Sequence, residues 1–552
     1  MAATSAMGAA IGVREEEIAA AAQATGAMQP YELLLGKFLE HAAKWSPDTE
    51  VVTGGGAGVT PERIAYRQLL EESIALSGAF AAIGLKRGDR IATLAWNSHA
   101  HLACWNAAVG IGVSVHTLNP RIGVPQLAAM IGQADDKILI VSPDQAGTVE
   151  QLIPLCPGIR QVLVLEEPGN GAPLPDCGAV PVASLAEFRD RLGEPAVWGG
   201  FPETTEAGLC FTSGTTGAPK GVAYTHRSTY LVTLALLQAN VMGIGAEDSV
   251  LAAVPMFHAN AWGIPFAAPA AGARLVLPGR FNDGASLAQL IQAEQVTIGM
   301  GVPTVWLGLI DHLDAVGGDL PSLERVVLGG SSVPQALMDR IEARLGVRVQ
   351  TSWGMTELSP LGTVSSPRAA TRSARLSGRP PVGVDLLLTD AEGAPLVEQR
   401  STEGHLHVRG PSAVERYLGH DAPATNADGW FDTGDLAIID ADGNLMITGR
   451  AKDLIKSGGE WINPAEIETI VGALPAVALV AVIARAHPKW GERPVVIVEL
   501  RPGEALEDDA VRAALDGRVP RWWMPDAVER VERMPLALTG KIDKQRLRQL
   551  FG

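Results

Sequence analysis

The chain has 552 residues, 47% of them hydrophobic and 19% charged, and a formal net charge of −17. That length exceeds one hydrophobic core and predicts about two to four domains, while the acidic balance argues against nucleic acid or an anionic membrane surface as the main partner. Cys104, Cys156, Cys177 and Cys210 form no CxxC pair, so neither a zinc site nor a disulfide framework is expected, and a reducing, cytoplasmic setting is.

Residues 1–30 are Ala-rich and lack a basic stretch before their first apolar residues, so they read as an N-terminal extension rather than a secretory signal. From residue 31, helical and strand patterns alternate. "YRQLLEESIALSGAFAAIGL" has helical spacing and is followed by the buried-strand pattern "RIATLAW". "LAAMIGQADDKILIVSP" predicts a helix and then a strand. The window "ANAWGIPFAAPAAGARLVLP" is apolar, but its three prolines and one arginine make it a poor membrane span. "ASLAQLIQAEQVTIGMGVP" and "QALMDRIEARLGVRVQTSWG" repeat the helix–strand theme. This alternation predicts layered α/β structure with largely parallel sheets. Around residues 378–450, short strand patterns separated by Gly turns such as "ADGW" and "DADGN" predict a β-rich subdomain. The segment after "GRAKDLIKSGGEW" reads as a compact α+β unit, with a boundary near Lys452. The expected organisation is an extension (1–30), a large domain (31–451) and a small one (452–552).

The most chemically suggestive stretch is "FTSGTTGAPKGVAYTHRS", residues 211–228. Glycines let backbone N–H groups approach an oxyanion, hydroxyls add donors and a lysine adds charge, so the run suits a phosphate. It is not the common P-loop, G-x-x-x-x-G-K-[ST], because Pro219 precedes Lys220 and Gly221 follows it. A Gly-rich loop on its own is as often an ordinary surface loop. The ordered string S-G-T-T-G-x-P-K-G is far more specific.

That string resembles the phosphate loop of the acyl-adenylate-forming enzymes, which include acyl-CoA synthetases, luciferases and adenylation domains. The resemblance covers nearly the whole chain after residue 30. "TSWGMTE" (351–357) looks like the adenine and magnesium motif and "GWFDTGDLA" (429–437) like the ribose motif. "TGRAKDLIKSGGEWINPAEIE" (448–468) resembles the hinge and pantetheine-tunnel motif, and "LTGKIDKQRL" (538–547) the C-terminal lysine motif.

The resemblance implies residue roles. Thr215 and Glu357 hold Mg²⁺ through hard oxygen ligands, as that ion prefers. Thr216, Gly217 and Lys220 contact phosphate. Trp353, where relatives often carry tyrosine, offers a face to adenine, with Gly330 and Ser331 of "LGGSSVP" as a second wall and Thr351, Ser352 and Thr356 alongside. Asp435 accepts the ribose hydroxyls, and Arg450, Lys452 and Lys456 belong to the same nucleotide set. Lys541 reaches the reacting carboxylate and α-phosphate from a small mobile C-terminal domain. That domain turns about Lys452 to present Lys456, Gly458, Gly459 and Trp461 to CoA. In "VPMFHANAWGIPFAA" (254–268), His258 and Trp262 resemble the acyl-pocket histidine and the gate tryptophan of bacterial fatty acyl-CoA synthetases. Ala259 adjoins the nucleotide, and Val302 of "GVPTVW" lines the acyl pocket. A lone histidine in an apolar run is otherwise more often a packed core residue, and a lone Asp, Glu or Arg an ordinary surface group.

The function implied is an ATP-dependent acid–CoA ligase. It forms acyl-AMP and pyrophosphate and then acyl-CoA and AMP, with Mg²⁺ as cofactor and ATP and CoA as co-substrates. A medium- or long-chain fatty acid is the expected acid. The alternatives are a short thioether-acid or aryl-acid CoA ligase and a stand-alone enzyme loading a carrier protein. No carrier-sized segment follows residue 552, which favours CoA. A non-enzymatic nucleotide binder is expected to lose Glu357 or Lys541, and both are present. The "HANAW" match disfavours a luciferase-like oxygenase. Relatives suggest a homodimer.

Overall fold

The computed structural model describes residues 28–29, 31–168, 174–212, 219–537 and 542–552, and Leu34–Gly552 form one compact unit. Four sheets organise its described residues.

The largest has eight strands in the order Leu361–Val364, Arg348–Gly354, Arg325–Leu328, Ile298–Gly301, Ser249–Ala252, Arg274–Leu277, Glu50–Thr53 and Glu62–Ala65. Its inner pairings are parallel and both outermost pairings antiparallel. The second sheet has seven strands, Val182–Ser184, Gln161–Val164, Ile138–Val141, Arg90–Leu94, Ser114–Leu118, Glu206–Phe211 and Gly221–Thr225. Only its last pairing is antiparallel. Runs such as "ILIV" and "RVVL" are apolar throughout because helices cover both faces of a parallel sheet. One continuous core joins the two sheets. It includes Val51 and Ile298 from the first and Ile91, Val115 and Ile138 from the second, together with Phe80, Trp105 and Phe266 from helices between them.

The predicted alternation is visible element by element. Helix Tyr66–Ala82 precedes strand Arg90–Leu94, Val124–Ala134 precedes Ile138–Val141, Gly284–Ala293 precedes Ile298–Gly301, and Gln335–Leu345 precedes Arg348–Gly354. Among the described residues, no helix is long and apolar enough to cross a membrane. The β-rich segment forms a four-stranded antiparallel sheet of Asp385–Thr389, Glu403–Arg409, Phe431–Ile439 and Leu445–Arg450. The fourth sheet belongs to the separate C-terminal domain. It contains Glu460–Ile462, Ile455–Ser457, Gly491–Leu500, Val477–His487 and Ala527–Val531, with its own core around Ile455, Ile467, Val496 and Val511. Residues 451–453 make a short turn between the third and fourth sheets.

Histidines sit within these layers, shielded from solvent. His101 lies between the Trp96 carbonyl and the Thr93 hydroxyl, at 3.0 Å from each. Burial lowers its pKa from 6.5 to about 4, and the same cause lowers His99 and His226 to about 4. Between pH 6.5 and 4 the unfolded chain therefore binds protons that the native chain refuses. The stability these histidines contribute is complete above pH 6.5 and is lost as pH falls toward 4. Burial of Glu167, raised to about 7, acts in the opposite sense. We expect His101→Gln to flatten the pH dependence of unfolding free energy between pH 6.5 and 4 by up to about 1.4 kcal/mol per pH unit. Urea titrations at several pH values check this, and parallel curves for both proteins would contradict a neutral buried His101.

Candidate active site

Three consecutive parallel strands of the large sheet deliver the first wall. Val302 follows strand Ile298–Gly301, Gly329 and Gly330 follow Arg325–Leu328, and Ser352 and Trp353 lie near the end of Arg348–Gly354. Open α/β sheets bind ligands beyond such carboxyl ends. A methyl group at Gly330, whose φ is +80°, would lie 3.3 Å from Val302 Cγ1 and 3.7 Å from Trp262 Cζ2; one at Gly329 would lie 3.2 Å from Trp262 Cη2 and against Ser352 Oγ. The two glycines thus admit Trp262, Val302 and Ser352 to one place. Ser352 is fixed by donating to the Leu328 carbonyl at 3.0 Å, and Thr351 by donating to the Leu376 carbonyl. Ser331 is exposed at the rim.

Trp262 reaches this place from an unusual turn. Ala259, Asn260, Ala261, Trp262 and Gly263 have φ of +42°, +60°, +47°, +56° and +80°. Only glycine adopts that region without penalty, so four side-chain-bearing residues here store strain. The turn is tethered by Asn260, whose Oδ1 accepts from the Cys210 thiol at 3.3 Å. Burial pushes that thiol's pKa up. Cys210 lies in strand Glu206–Phe211, which leads into the phosphate loop. His258 opens the turn, half-buried, with the Phe257 ring edge-on at 4.8 Å.

A second cluster centres on Asp435, whose side chain is 2% exposed. Arg450 faces it across the ladder of strands Phe431–Ile439 and Leu445–Arg450. Arg450 Nε lies 2.5 Å from Asp435 Oδ1. The Trp353 indole donates to Oδ2 at 2.9 Å, and the Asp435 N–H donates to Thr433 Oγ1 at 3.1 Å. The Trp353 ring lies over Gly362, where a methyl group would strike it. Burial lowers the Lys452 pKa, as does the neighbouring Arg450 charge, while Asp453 and Asp435 oppose the shift.

Glu357 sits in the short turn Thr356–Leu358. The Tyr417 hydroxyl donates to Glu357 Oε1 at 3.0 Å, the Val414 N–H to the Glu357 carbonyl at 2.7 Å, and the Tyr224 hydroxyl to the Thr356 carbonyl at 2.7 Å. Burial raises the Tyr417 pKa, and the Glu357 charge adds to the shift. Lys220 Nζ lies 4.7 Å from the Tyr417 ring centroid. The neck of the phosphate loop is closed by the Thr212 N–H donating to the Lys220 carbonyl at 2.9 Å. Thr215, Thr216 and Gly217, within that loop, lie outside the described residues, and so does Lys541. Among the described residues no three His, Cys, Asp or Glu side chains gather as a metal cage. The hydrogen-bonded carboxylate of Glu357 instead suits Mg²⁺, which binds through one or two carboxylates, substrate phosphates and water.

Lys456, Gly458, Gly459 and Trp461 share one hairpin of the fourth sheet, separate from the sheet that carries Asp435 and Arg450. Lys456 Nζ stands 5.3 Å over the Trp461 ring, and Trp461 is 53% exposed. The Gly458 N–H donates to the Trp490 carbonyl at 2.8 Å. Gly459, at φ +95°, faces open space.

The profile of the AMP-binding enzyme family matches residues 39–418, and that of the AMP-binding enzyme C-terminal domain matches residues 466–541. The chain belongs to the AMP-binding enzyme family. This AMP-binding enzyme is 39% identical to a medium-chain-fatty-acid–CoA ligase of Ectopseudomonas oleovorans, over 96% of its own length and 97% of the relative's. It is also 39% identical to a 3-methylmercaptopropionyl-CoA ligase of Ruegeria lacuscaerulensis, covering 95% and 98% of the two chains. An anthranilate CoA ligase crystallised with anthranoyl-AMP shares the fold with a TM-score of 0.83 at 23% identity, covering 95% of this chain and 98% of that one.

Two residues of the AMP-binding enzyme went unnoticed in its sequence, Tyr224 and Tyr417. Both bond to the Thr356–Glu357 turn, Tyr224 across 132 positions and Tyr417 across 60. No spacing rule links such positions. The one available signal was rarity, since the chain has only five tyrosines.

Trp353→Phe keeps an aromatic ring but removes a donor from the buried Asp435 carboxylate. We expect a loss of about 1–3 kcal/mol in folding stability, together with weaker AMP binding. Chemical denaturation and calorimetry measure the two effects, and unchanged values for both would remove the indole N–H from the site.

Proposed function

We propose that this AMP-binding enzyme is an ATP-dependent acid–CoA ligase whose acid is a medium- or long-chain fatty acid. The observation that carries the choice of acid is the seating of Trp262 between Val302 and the Gly329–Gly330 pair. An aromatic side chain at that place would close the end of an acyl-binding pocket. The similarity to a medium-chain-fatty-acid–CoA ligase over nearly the whole chain supports the same reading.

The chemistry has two steps. A carboxylate oxygen of the acid attacks the α-phosphorus of ATP, the bond to the bridging oxygen breaks, and pyrophosphate leaves. The thiolate sulfur of CoA then attacks the acyl carbon, and AMP departs with the electron pair of the broken C–O bond. Asp435 binds the ribose hydroxyls, its own charge matched by Arg450. Lys220 holds phosphate, and Lys541 balances charge between the acid and the α-phosphate. Glu357 and Thr215 would hold Mg²⁺, which supplies charge neutralisation on the departing pyrophosphate. Trp262 and Val302 bound the acyl chain, and His258 lines the thiol's path. Lys452 lies in the short turn between the third and fourth sheets and serves as the hinge. Rotation about it exchanges Lys541 for the Lys456–Trp461 hairpin, so that each face serves one step. A homodimer is the expected assembly.

A thioether acid is the second reading, favoured by the equal identity to a 3-methylmercaptopropionyl-CoA ligase. An ATP- and CoA-dependent thioester assay across saturated acids from short to long chain, with thioether and aryl acids included, separates the two. We expect turnover to peak among medium or long chains, and Trp262→Ala to shift that peak by more than it alters the KM for ATP. A peak at the thioether acid would replace the fatty-acid reading, and an unshifted profile in a folded variant would make Trp262 plain packing.

The hinge yields a sharper expectation. Lys541→Ala should block acyl-AMP formation yet still convert supplied acyl-AMP and CoA to thioester. Gly459→Leu fills the open space beside the hairpin and should do the reverse. Quenched-flow measurement of each half-reaction decides the matter. Equal slowing of both steps by Lys541→Ala would exclude an exchange of faces.

A further inference from the structure

Glu357 and Lys220 carry opposite charges, yet among the described residues neither belongs to an ion pair. One tyrosine touches both. The Tyr417 hydroxyl donates to Glu357 Oε1 at 3.0 Å, and Lys220 Nζ lies 4.7 Å from the centroid of the same ring. The short segment that carries the tyrosine is fastened at both ends. The Val414 N–H donates to the Glu357 carbonyl at 2.7 Å, and the Leu418 N–H donates to the Gly221 carbonyl at 2.8 Å. A methyl group at Gly221 would lie 3.0 Å from Leu418 Cβ, so the two segments approach closely. Tyr417 also packs on a small core of Cys210, Val222, Tyr224, Val414 and Phe431.

We propose that Tyr417 is a positioning residue that orients the Glu357 carboxylate toward a divalent cation and holds the Lys220 ammonium ready for phosphate. This rests on the acid–CoA ligase reading. A glutamate has three rotatable bonds, and leaving them free costs entropy when a metal binds. The phenol engages Oε1 and leaves Oε2 for the cation. Outer hydrogen bonds of this kind commonly change metal affinity by about 10–100-fold. The ring face attracts the ammonium, which keeps it from neutralising the carboxylate. Both charges are thereby reserved for the ligand, one for the metal and one for the polyphosphate.

Two substitutions separate the two duties. Tyr417→Phe removes the hydroxyl and keeps the ring, whereas Tyr417→Leu removes both. The probes are Mn²⁺, followed by electron paramagnetic resonance, and α,β-methylene-ATP, followed by calorimetry with and without EDTA. In Tyr417→Phe we expect the apparent dissociation constant for Mn²⁺, with the nucleotide analogue present, to rise about tenfold or more. Analogue binding in EDTA should stay within about twofold, which also shows that the variant is folded. Tyr417→Leu should weaken analogue binding in EDTA as well. The proposal is overturned if Tyr417→Phe binds Mn²⁺ as the parent does, or if it loses metal-free and metal-loaded binding to the same extent. A parent chain that binds the analogue no more tightly with Mn²⁺ than in EDTA would overturn the ligase reading itself. A parent that does, beside an unaffected Tyr417→Phe, overturns only the role of the tyrosine.

Discussion

Like charges must share this site, and their repulsion sets its design. In the proposed reaction a carboxylate substrate would meet a polyphosphate between two acidic side chains, Asp435 and Glu357. At about 4 Å, two unit charges repel by about 4 kcal/mol at the effective dielectric of a protein surface. The two acids resolve this differently. Asp435 is matched by a full cation, since Arg450 Nε lies 2.5 Å away, and can then serve as an acceptor without adding net charge. Glu357 is met by a neutral phenol at 3.0 Å. In the proposed mechanism its charge would be left for a cation that arrives with the nucleotide, which is the physical case for a hard divalent ion there. The net charge of −17 concerns the whole surface and does not oppose this local arrangement.

The scaffold places these groups by strand ends. Val302, the Gly329–Gly330 pair and Ser352 lie at the carboxyl ends of three adjacent strands whose registers are fixed by parallel pairing. Strand Arg348–Gly354 then carries Trp353 out of the parallel sheet to meet Asp435 of the four-stranded sheet. The segment around Val414–Leu418 returns from the four-stranded region to fasten the Glu357 turn and Gly221. Three pieces distant in sequence are thus locked by backbone and side-chain hydrogen bonds before any ligand enters, and that preorganisation is what an electrostatic site requires.

Much of this was legible in the chain itself. The pattern "RIATLAW" announced a buried strand, and the Gly turns "ADGW" and "DADGN" announced the β-rich segment. The motif strings singled out Asp435, Glu357 and Trp353, and the structure joins the first and last by one hydrogen bond. What stayed hidden were contacts with no periodicity. The phenol of Tyr417 reaches Glu357 across sixty positions. The indole of Trp353 was read for its face, whereas its N–H also supports Asp435. The left-handed turn at Ala259–Gly263 was hidden for a different reason. Local propensity argues against φ above zero at alanine and tryptophan, and only tertiary packing overrides it.

That turn fixes where the backbone places the tryptophan. Each non-glycine residue in the left-handed region costs roughly 1–2 kcal/mol, so the run is stable only because its surroundings offset the cost. Ala261 and Ile264 are buried in the core shared by the two large sheets, and Asn260, a residue type that tolerates this region better than most others that carry a side chain, is held by Cys210. The strain is therefore borne by the protein interior rather than by the ligand. Trp262 is carried into the acyl wall by its backbone, and a rotamer change alone does not return the turn to ordinary geometry. Motion of the indole is thus separable from motion of the turn. Because the tether runs to the strand that opens into the phosphate loop, displacing the turn would also disturb the strand beneath the phosphate. The proposed acyl and phosphate walls would share one support, and the cheaper movement on this scaffold is rotation of the indole about a fixed turn.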